Sequence, residues 1–553
     1  MSEKSAFDAV VIGAGFSGLY ALHRLSGLGL DVRCLEAGDG VGGTWYWNRY
    51  PGARVDIESM QYSYSFDEDL QQDWKWPEHF SPQPDLEAYA NHVTDRFGLR
   101  ERIRFGTRVN RLRFDEGTSR WHIAAEDGFT ATAKYVIAAT GSLHAHNVPP
   151  FPGLDSFKGT WHHTSRWPAE GVDLTGKRVG LIGTGSTGIQ IAPVAAEVAE
   201  HLTVFQRTPA FSVPAVHRAL DPAYEQEWKA QYAERREVMR ANPSAVFPTV
   251  PRFGSVFDHS PEARQEILER AWSARNGLLF LQAFTDTMVD PAANEVVAEF
   301  IRGKIRQIVR DPEVAELLCP KTYPVGTKRI CMDTGYYETF NRENVTLVDV
   351  RTHPITRITE SGLRTTNASY DLDVIVFATG FDGVTGSFTA MNVTGTDGLD
   401  LREKWADGPT SYLGLLVAGF PNLFMVHGPG SPGVLAQMIT GGEWQVDWIT
   451  RFITHMETEG HERVDTTVEW ERRWGAEVDG AADHTLYKRA DSWYMGANIP
   501  GKPRVFMIYV GGFDRYVQRC TEQVEAGYEG FVFDGPARGP VHANTHAPAP
   551  ATD

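Results

Sequence analysis

An apolar strand-like run, then Gly-x-Gly-x-x-Gly, then an apolar pattern of helical period occurs twice in this 553-residue chain. In FDAVVIGAGFSGLYALHRL the glycines are Gly13, Gly15 and Gly18, and in GKRVGLIGTGSTGIQIAPVAA they are Gly183, Gly185 and Gly188. The first glycine of each set permits a tight turn, the second lets backbone approach a diphosphate, and the third lets helix pack closely on strand. The helix N-terminus then presents N–H groups and partial positive charge to the ligand. Two such turns constrain the chain to an α/β fold with two Rossmann-like dinucleotide-binding domains.

The residues after each turn differ, and so do the expected ligands. LDVRCLEAG is a second strand ending at Glu36, where a carboxylate accepts hydrogen bonds from a ribose diol. HLTVFQRTP ends instead in Gln206, Arg207 and Thr208, with no acid at the ribose position. An arginine there pairs with a 2′-phosphate that a carboxylate would repel, so the second ligand is expected to be NADPH rather than NADH. KYVIAATG and DLDVIVFATG close on Thr140 and on Thr379–Gly380, where glycine lets the chain cross close to a cofactor between domains. The whole reads as a flavoprotein that binds two dinucleotides.

Composition narrows the partners. A net charge of −18 disfavours nucleic acid and anionic membrane surfaces, which need a basic face. Cys34, Cys319, Cys331 and Cys520 are scattered without a CxxC, which supports neither a disulfide framework nor a zinc cluster and points to a reducing cytoplasm. The start MSEKSAFDAVVIGAG leaves no room for a signal peptide, and no apolar run reaches membrane-spanning length. His162 and His163 have no HxxxH or acid partner at ligand spacing, so no metal is expected.

FKGTWHHTSRWP carries Phe157, Gly159, His163, Trp167 and Pro168 in the pattern FxGxxxHxxxW followed by Pro or Asp. GGTWYWNRYPGARVD adds Gly42, Gly43, Trp45, Tyr50, Pro51, Gly52 and Asp56 in a second ordered pattern. With these motifs the chain, from about residue 7 to residue 535, resembles the type I Baeyer–Villiger monooxygenases. The resemblance implies FAD held tightly in the first domain and NADPH in the second. The implied reaction joins dioxygen to a small-molecule ketone, giving an ester or lactone through a flavin peroxide stabilised by Arg329. Related enzymes that oxygenate nitrogen or sulfur carry a fingerprint ending in Tyr or Phe, so Trp167 favours ketones; heteroatom oxygenation or an uncoupled NADPH oxidase is the alternative.

From the residues alone, Lys328 and Arg329 read equally as a surface pair, Asp56 as a turn cap and Trp493 as a packed aromatic. The resemblance assigns Arg329 and Asp56 to catalysis. It gives the cofactors Thr44, Trp45, Ser186, Thr187, Gln190, Thr208, Lys328 and Trp493, beside Glu36, Arg207, Thr379, Gly380 and the six glycines of the turns. Gly433, Val434 and Leu435 are expected at the substrate pocket, and His163 in a linker that couples conformations. Two departures stand out: Leu143–His146 lacks the family's Leu-Ser-x-Pro, which loosens that segment, and Ala436 and Gln437 replace common Ser and Asn in the pocket loop. The implied division is 1–145 and 381–535 for FAD, 146–214 and 326–380 for NADPH, a helical insertion at 215–325 almost all of whose charges are expected to be solvated, and a disordered tail at 536–553.

Overall fold

The computed structural model describes residues 5–215 and 218–534, so the tail at 536–553 lies outside the described residues. Ala6–Ile12 pairs in parallel with Val32–Leu35 on one side and Thr130–Ala138 on the other. Its Ala9, Val10 and Val11 are fully buried, as a strand covered on both faces requires. Helix Phe16–Gly27 follows the turn directly. Gly13 sits at φ +100°, and a Cβ on Gly18 would lie 1.8 Å from the Gly13 carbonyl oxygen, so the third glycine is what lets helix meet turn. An antiparallel meander through Arg120–Ala125 and Val109–Asp115 extends the sheet. Val393–Thr394 and Leu423–Met425 join the same sheet, so the chain beyond residue 380 returns to the first unit.

The second unit is a five-stranded, all-parallel sheet in the order Val345–Asp349, His201–Gln206, Arg178–Ile182, Val374–Phe377, Thr160–His163. The chain leaves the central Arg178–Ile182 to one side and returns on the other. The turn Gly183–Gly188 therefore sits where the strand order reverses, the place an open parallel sheet leaves a crevice.

Between His201–Gln206 and Val345–Asp349 the described chain is mainly helical. Helices Pro222–Ala230, Pro261–Ala274, Pro291–Ile308 and Pro312–Leu318 each start on Pro after an Asp or Ser whose side chain accepts a backbone N–H, a pairing that satisfies the first turn and presets φ. The insertion divides its packing. Trp228 and Tyr232 join the first unit's core beside Trp76 and Tyr89, whereas Ile267, Val297 and Ile301 join the second's. The expectation of solvated charges fails at three positions: Arg235, Arg236 and Arg302 are buried. Arg236 donates to the Gln61 carbonyl at 3.0 Å and Ser63 Oγ at 2.7 Å, Arg302 to Glu299 at 2.7 Å and the Pro320 carbonyl at 3.1 Å, and Arg235 stacks on Trp228. Aliphatic stems bury while guanidinium N–H groups find acceptors, which a charge pattern alone does not reveal.

Two crossings join the units, and they pair with each other. Asn147 N–H donates to the Gly380 carbonyl at 3.0 Å, Asp382 N–H to Ala145 at 2.8 Å and Val384 N–H to Ser142 at 2.9 Å. Leu143–His146 is thus held by backbone bonds despite its missing proline, contrary to the expected loosening. The fingerprint contains the edge strand Thr160–His163, with His163 opposite Phe377 just before the second crossing. A Cβ on Gly159 would lie 2.3 Å from the Asp373 carbonyl oxygen, which explains glycine there. His163 Nδ1 accepts the Ser165 N–H at 3.2 Å, and the ring lies 5.2 Å from that of His146. Burial, then His146 and Arg166, pulls its pKa down to about 4.

Residues 50–54 leave the first unit's core and lie on helix Ser186–Val198 of the second. The Tyr50 hydroxyl donates to Gln190 Oε1 at 2.7 Å, and Gln190 Nε2 donates to the Arg54 carbonyl at 3.0 Å. Gly52, at φ +86°, approaches so closely that a Cβ would lie 2.4 Å from the Gln190 carbonyl oxygen. Gly52→Ala is expected to lower unfolding free energy by roughly 2–4 kcal/mol, combining left-handed strain with overpacking, as read from urea unfolding. His163 provides a second check. Its folded pKa lies below the unfolded value, so its stability contribution is intact above about pH 6.5 and is lost as pH falls toward 4. Between pH 7.5 and pH 5, His163→Gln should lose about 2 kcal/mol less stability than the parent protein.

Candidate active site between the two dinucleotide turns

At the first turn, Gly15 faces Gly43: a Cβ on Gly43 would lie 2.8 Å from the Gly15 Cα. Two backbones approach there without side chains, directly before the short helix Thr44–Trp47. Trp45 is buried, its indole N–H donating to the Tyr62 hydroxyl at 3.2 Å. Glu36 has a structural duty that the sequence pattern did not announce. Its two carboxylate oxygens accept the N–H groups of Ala14 at 2.6 Å and Gly38 at 2.7 Å, which pins the turn, while burial raises its pKa against those bonds.

At the second turn, Gly183 at φ +112° presses on the Ala378 carbonyl and Gly188 on that of Gly183. Gly185 is different, for a Cβ there would meet nothing within 4 Å. The N-terminus of helix Ser186–Val198, with Ser186 and Thr187 in its first turn, thus opens onto free space of the kind a diphosphate fills. Arg207 is exposed, the Thr208 carbonyl accepts from Thr184 Oγ1 at 2.9 Å, and Lys328 Nζ lies 4.9 Å over the Tyr323 ring. Burial, then the charge of Arg207, lowers the Lys328 pKa, so the two cations feel each other. Neither has an ion-pair partner among the described residues. These features fit FAD at the first turn and the 2′-phosphate of NADPH at the second. Gln190 also serves the contact between units, one bond at each polar atom of its side chain being made to residues 50–54.

Arg329 lies between the units. Its Nε and Nη2 donate to Asp56 Oδ2 at 3.0 and 2.7 Å, and Nη1 donates to the Val434 carbonyl at 2.6 Å. Burial opposes the charge, but Asp56 together with Tyr494 and Tyr487 holds the guanidinium above its ordinary pKa. Beside it the buried Tyr494 hydroxyl is pushed up to about 12. The Val434 carbonyl is a partner that sequence reasoning missed, since a backbone acceptor leaves no residue-type signal.

Val434 and Leu435 follow Gly433 in a short 3-10 turn and pack in one apolar cluster with Phe506, Ile508, Tyr487 and Trp493. Trp493 covers Gly383 in the second crossing, where a Cβ would lie 2.7 Å from its ring. Thr379 Oγ1 donates to the Asn147 carbonyl, and Gly380 at φ +77° faces open space. Gln437 does not face this cluster. It caps helix Met438–Glu459 through the Thr440 N–H at 2.6 Å and donates to the Gln61 carbonyl at 2.7 Å. Trp167 and Pro168 lie beside His162, whose ring is 5.6 Å from that of Trp167, and Phe157 packs against Gly159. Among the described residues no three His, Cys, Asp or Glu side chains group to hold a metal, and no helix is long and apolar enough to cross a membrane.

Residues 7–235 match the family model described as pyridine nucleotide-disulphide oxidoreductase, although the cysteines here are free and buried. A Baeyer-Villiger monooxygenase of Pseudooceanicola batsensis is 43% identical over 531 residues, covering 96% of each chain. A phenazine N-monooxygenase of Lysobacter antibioticus is 42% identical, covering 96% of this chain and 98% of that one. Among solved structures, an oxidized steroid monooxygenase bound to NADP is 48% identical with a TM-score of 0.91, covering 96% of this chain and 99% of that one. Two dinucleotide turns, the fingerprint Phe157–Pro168 and near full-length likeness to such relatives carry one conclusion: the chain belongs to the Baeyer–Villiger monooxygenase family of FAD-dependent oxidoreductases.

Proposed function

We propose that this protein uses NADPH and dioxygen to convert a ketone into an ester or lactone, with Arg329 as the cation at the reacting oxygen. The observation that carries this reading is the Arg329–Asp56 pair set between the two turns. When bound, FAD reduced by NADPH activates dioxygen for insertion beside a carbonyl.

The chain's own part is electrostatic and positional. Arg329 keeps its proton at any working pH, and Asp56 fixes its plane while Val434 aims Nη1. N–H groups on its terminal nitrogens remain beyond those bonds, for an oxyanion and for the Tyr494 hydroxyl. Val434 and Leu435, with Phe506 and Ile508, supply an apolar wall for the ketone. Sheet membership of Val393–Thr394 and Leu423–Met425 supports assigning 381–535 to the FAD domain with 1–145. Unpaired buried cysteines support a reducing cytoplasm, and the acidic balance supports a small-molecule substrate.

The relative named phenazine N-monooxygenase favours a second reading, oxygenation of a ring nitrogen. Product analysis separates the two, since an ester gains its oxygen between carbons and an N-oxide does not. Arg329→Ala is expected to keep FAD and its reduction by NADPH but to lower ester formation by about 10²–10³ in kcat; ester yield equal to the parent's would remove Arg329 from the reaction. Arg207→Ala should cut the preference of kcat/KM for NADPH over NADH by about tenfold or more, and an unchanged ratio would exclude it as the phosphate reader.

A further inference from the structure

Arg166 occupies a position that the fingerprint FxGxxxHxxxW leaves open, and its surroundings are unusual. Its guanidinium lies 4.1 Å over the Trp47 ring. Arg108 lies 5.9 Å over the same ring and meets His144 Nε2 at 3.2 Å, and the His144 ring is 5.6 Å from Trp47. Basic groups from three separate segments thus gather on one indole. Acceptors are missing: Arg166 Nη1 is buried with no hydrogen-bond partner, and Arg166 forms no ion pair among the described residues. The nearest carboxylate to Arg108 is Glu126, at 3.8 Å, beyond hydrogen-bond range. Glu36 is close enough to be felt, but its oxygens already accept from Ala14 and Gly38.

A partly buried guanidinium without an acceptor, set beside a second one, carries both a desolvation cost and a like-charge cost. An anion removes both. Burial and then Arg108 lower the Arg166 pKa to about 10, in keeping with a site short of negative charge.

The location names the anion. Thr107, next to Arg108, donates its N–H to the Glu36 carbonyl at 2.8 Å. Trp47 ends the short helix that follows Gly43, the residue facing Gly15, and Tyr46 of that helix lies against Gly38 and Gly40. The cluster therefore borders the ribose and diphosphate positions of the first turn. We propose that Arg166, with Arg108 and the Trp47 ring, forms an anion subsite for a phosphate of the adenosine half of FAD, so that the linker itself closes over the bound cofactor. This rests on the reading that FAD occupies the first turn.

The test uses purified holoenzyme, with flavin fluorescence following FAD release on dilution into increasing KCl. Arg166→Gln and Arg108→Gln are each expected to speed release about tenfold or more and to flatten its salt dependence, while NADP binding stays at the parent value. Release at the parent rate in both variants overturns the subsite. A parallel weakening of NADP binding also overturns it, because a merely distorted linker would disturb both cofactors. Inorganic phosphate that raises the thermal midpoint of parent holoenzyme but not of Arg166→Gln would mark a separate anion site beside bound FAD, against the assignment. If the parent protein purifies without flavin, the cofactor reading itself fails and takes the subsite with it.

Discussion

Asp56 is on a segment of the first unit and Arg329 on the strand-to-strand return of the second, and the charge-assisted pair between them depends on both units being in register. That register is set nearby by Gly52 seated against Gln190 and by Tyr50 bonded to its side chain. The pair is then closed on its third side by the Val434 carbonyl, from a loop that leaves the first sheet after Leu423–Met425. A guanidinium with three such contacts is preorganised, which is what a developing oxyanion needs from a cation.

The crossings serve the same end. They come from distant parts of the chain, residues 142–147 and 380–384, yet bond to each other as a short antiparallel pair. Lys502 adds a bond to the Gly383 carbonyl at 2.9 Å and an ion pair with Asp382, and Asn498 donates to Phe381 at 2.7 Å. The segment bearing Trp493 and Tyr494 is thereby tied to the hinge region instead of to either sheet.

Much of the fold was legible in sequence because the glycine turns and the fingerprint encode their geometry within a few residues. The omissions share one cause. Gln190, given to the cofactor by resemblance, has a second duty in bonding Tyr50 and Arg54 some 140 positions away. Gln437 looked like a pocket residue because it ends the pocket loop, yet it is a helix cap. Arg236 looked solvated because helix charges usually are, and it is buried among acceptors in a different segment. Local pattern assigns residue type to local geometry; which partner a side chain meets across the fold is a property of packing that one sequence does not print.

The two glycine turns share a pattern but not an environment. Gly15 is roofed by Gly43, whereas Gly185 looks onto open space. The first turn is thus hemmed in by a second backbone segment, while the second turn meets none. The duplicated fold therefore repeats a sequence pattern without repeating its surroundings: one turn is built into the interior of its unit, and the other is left accessible at its surface.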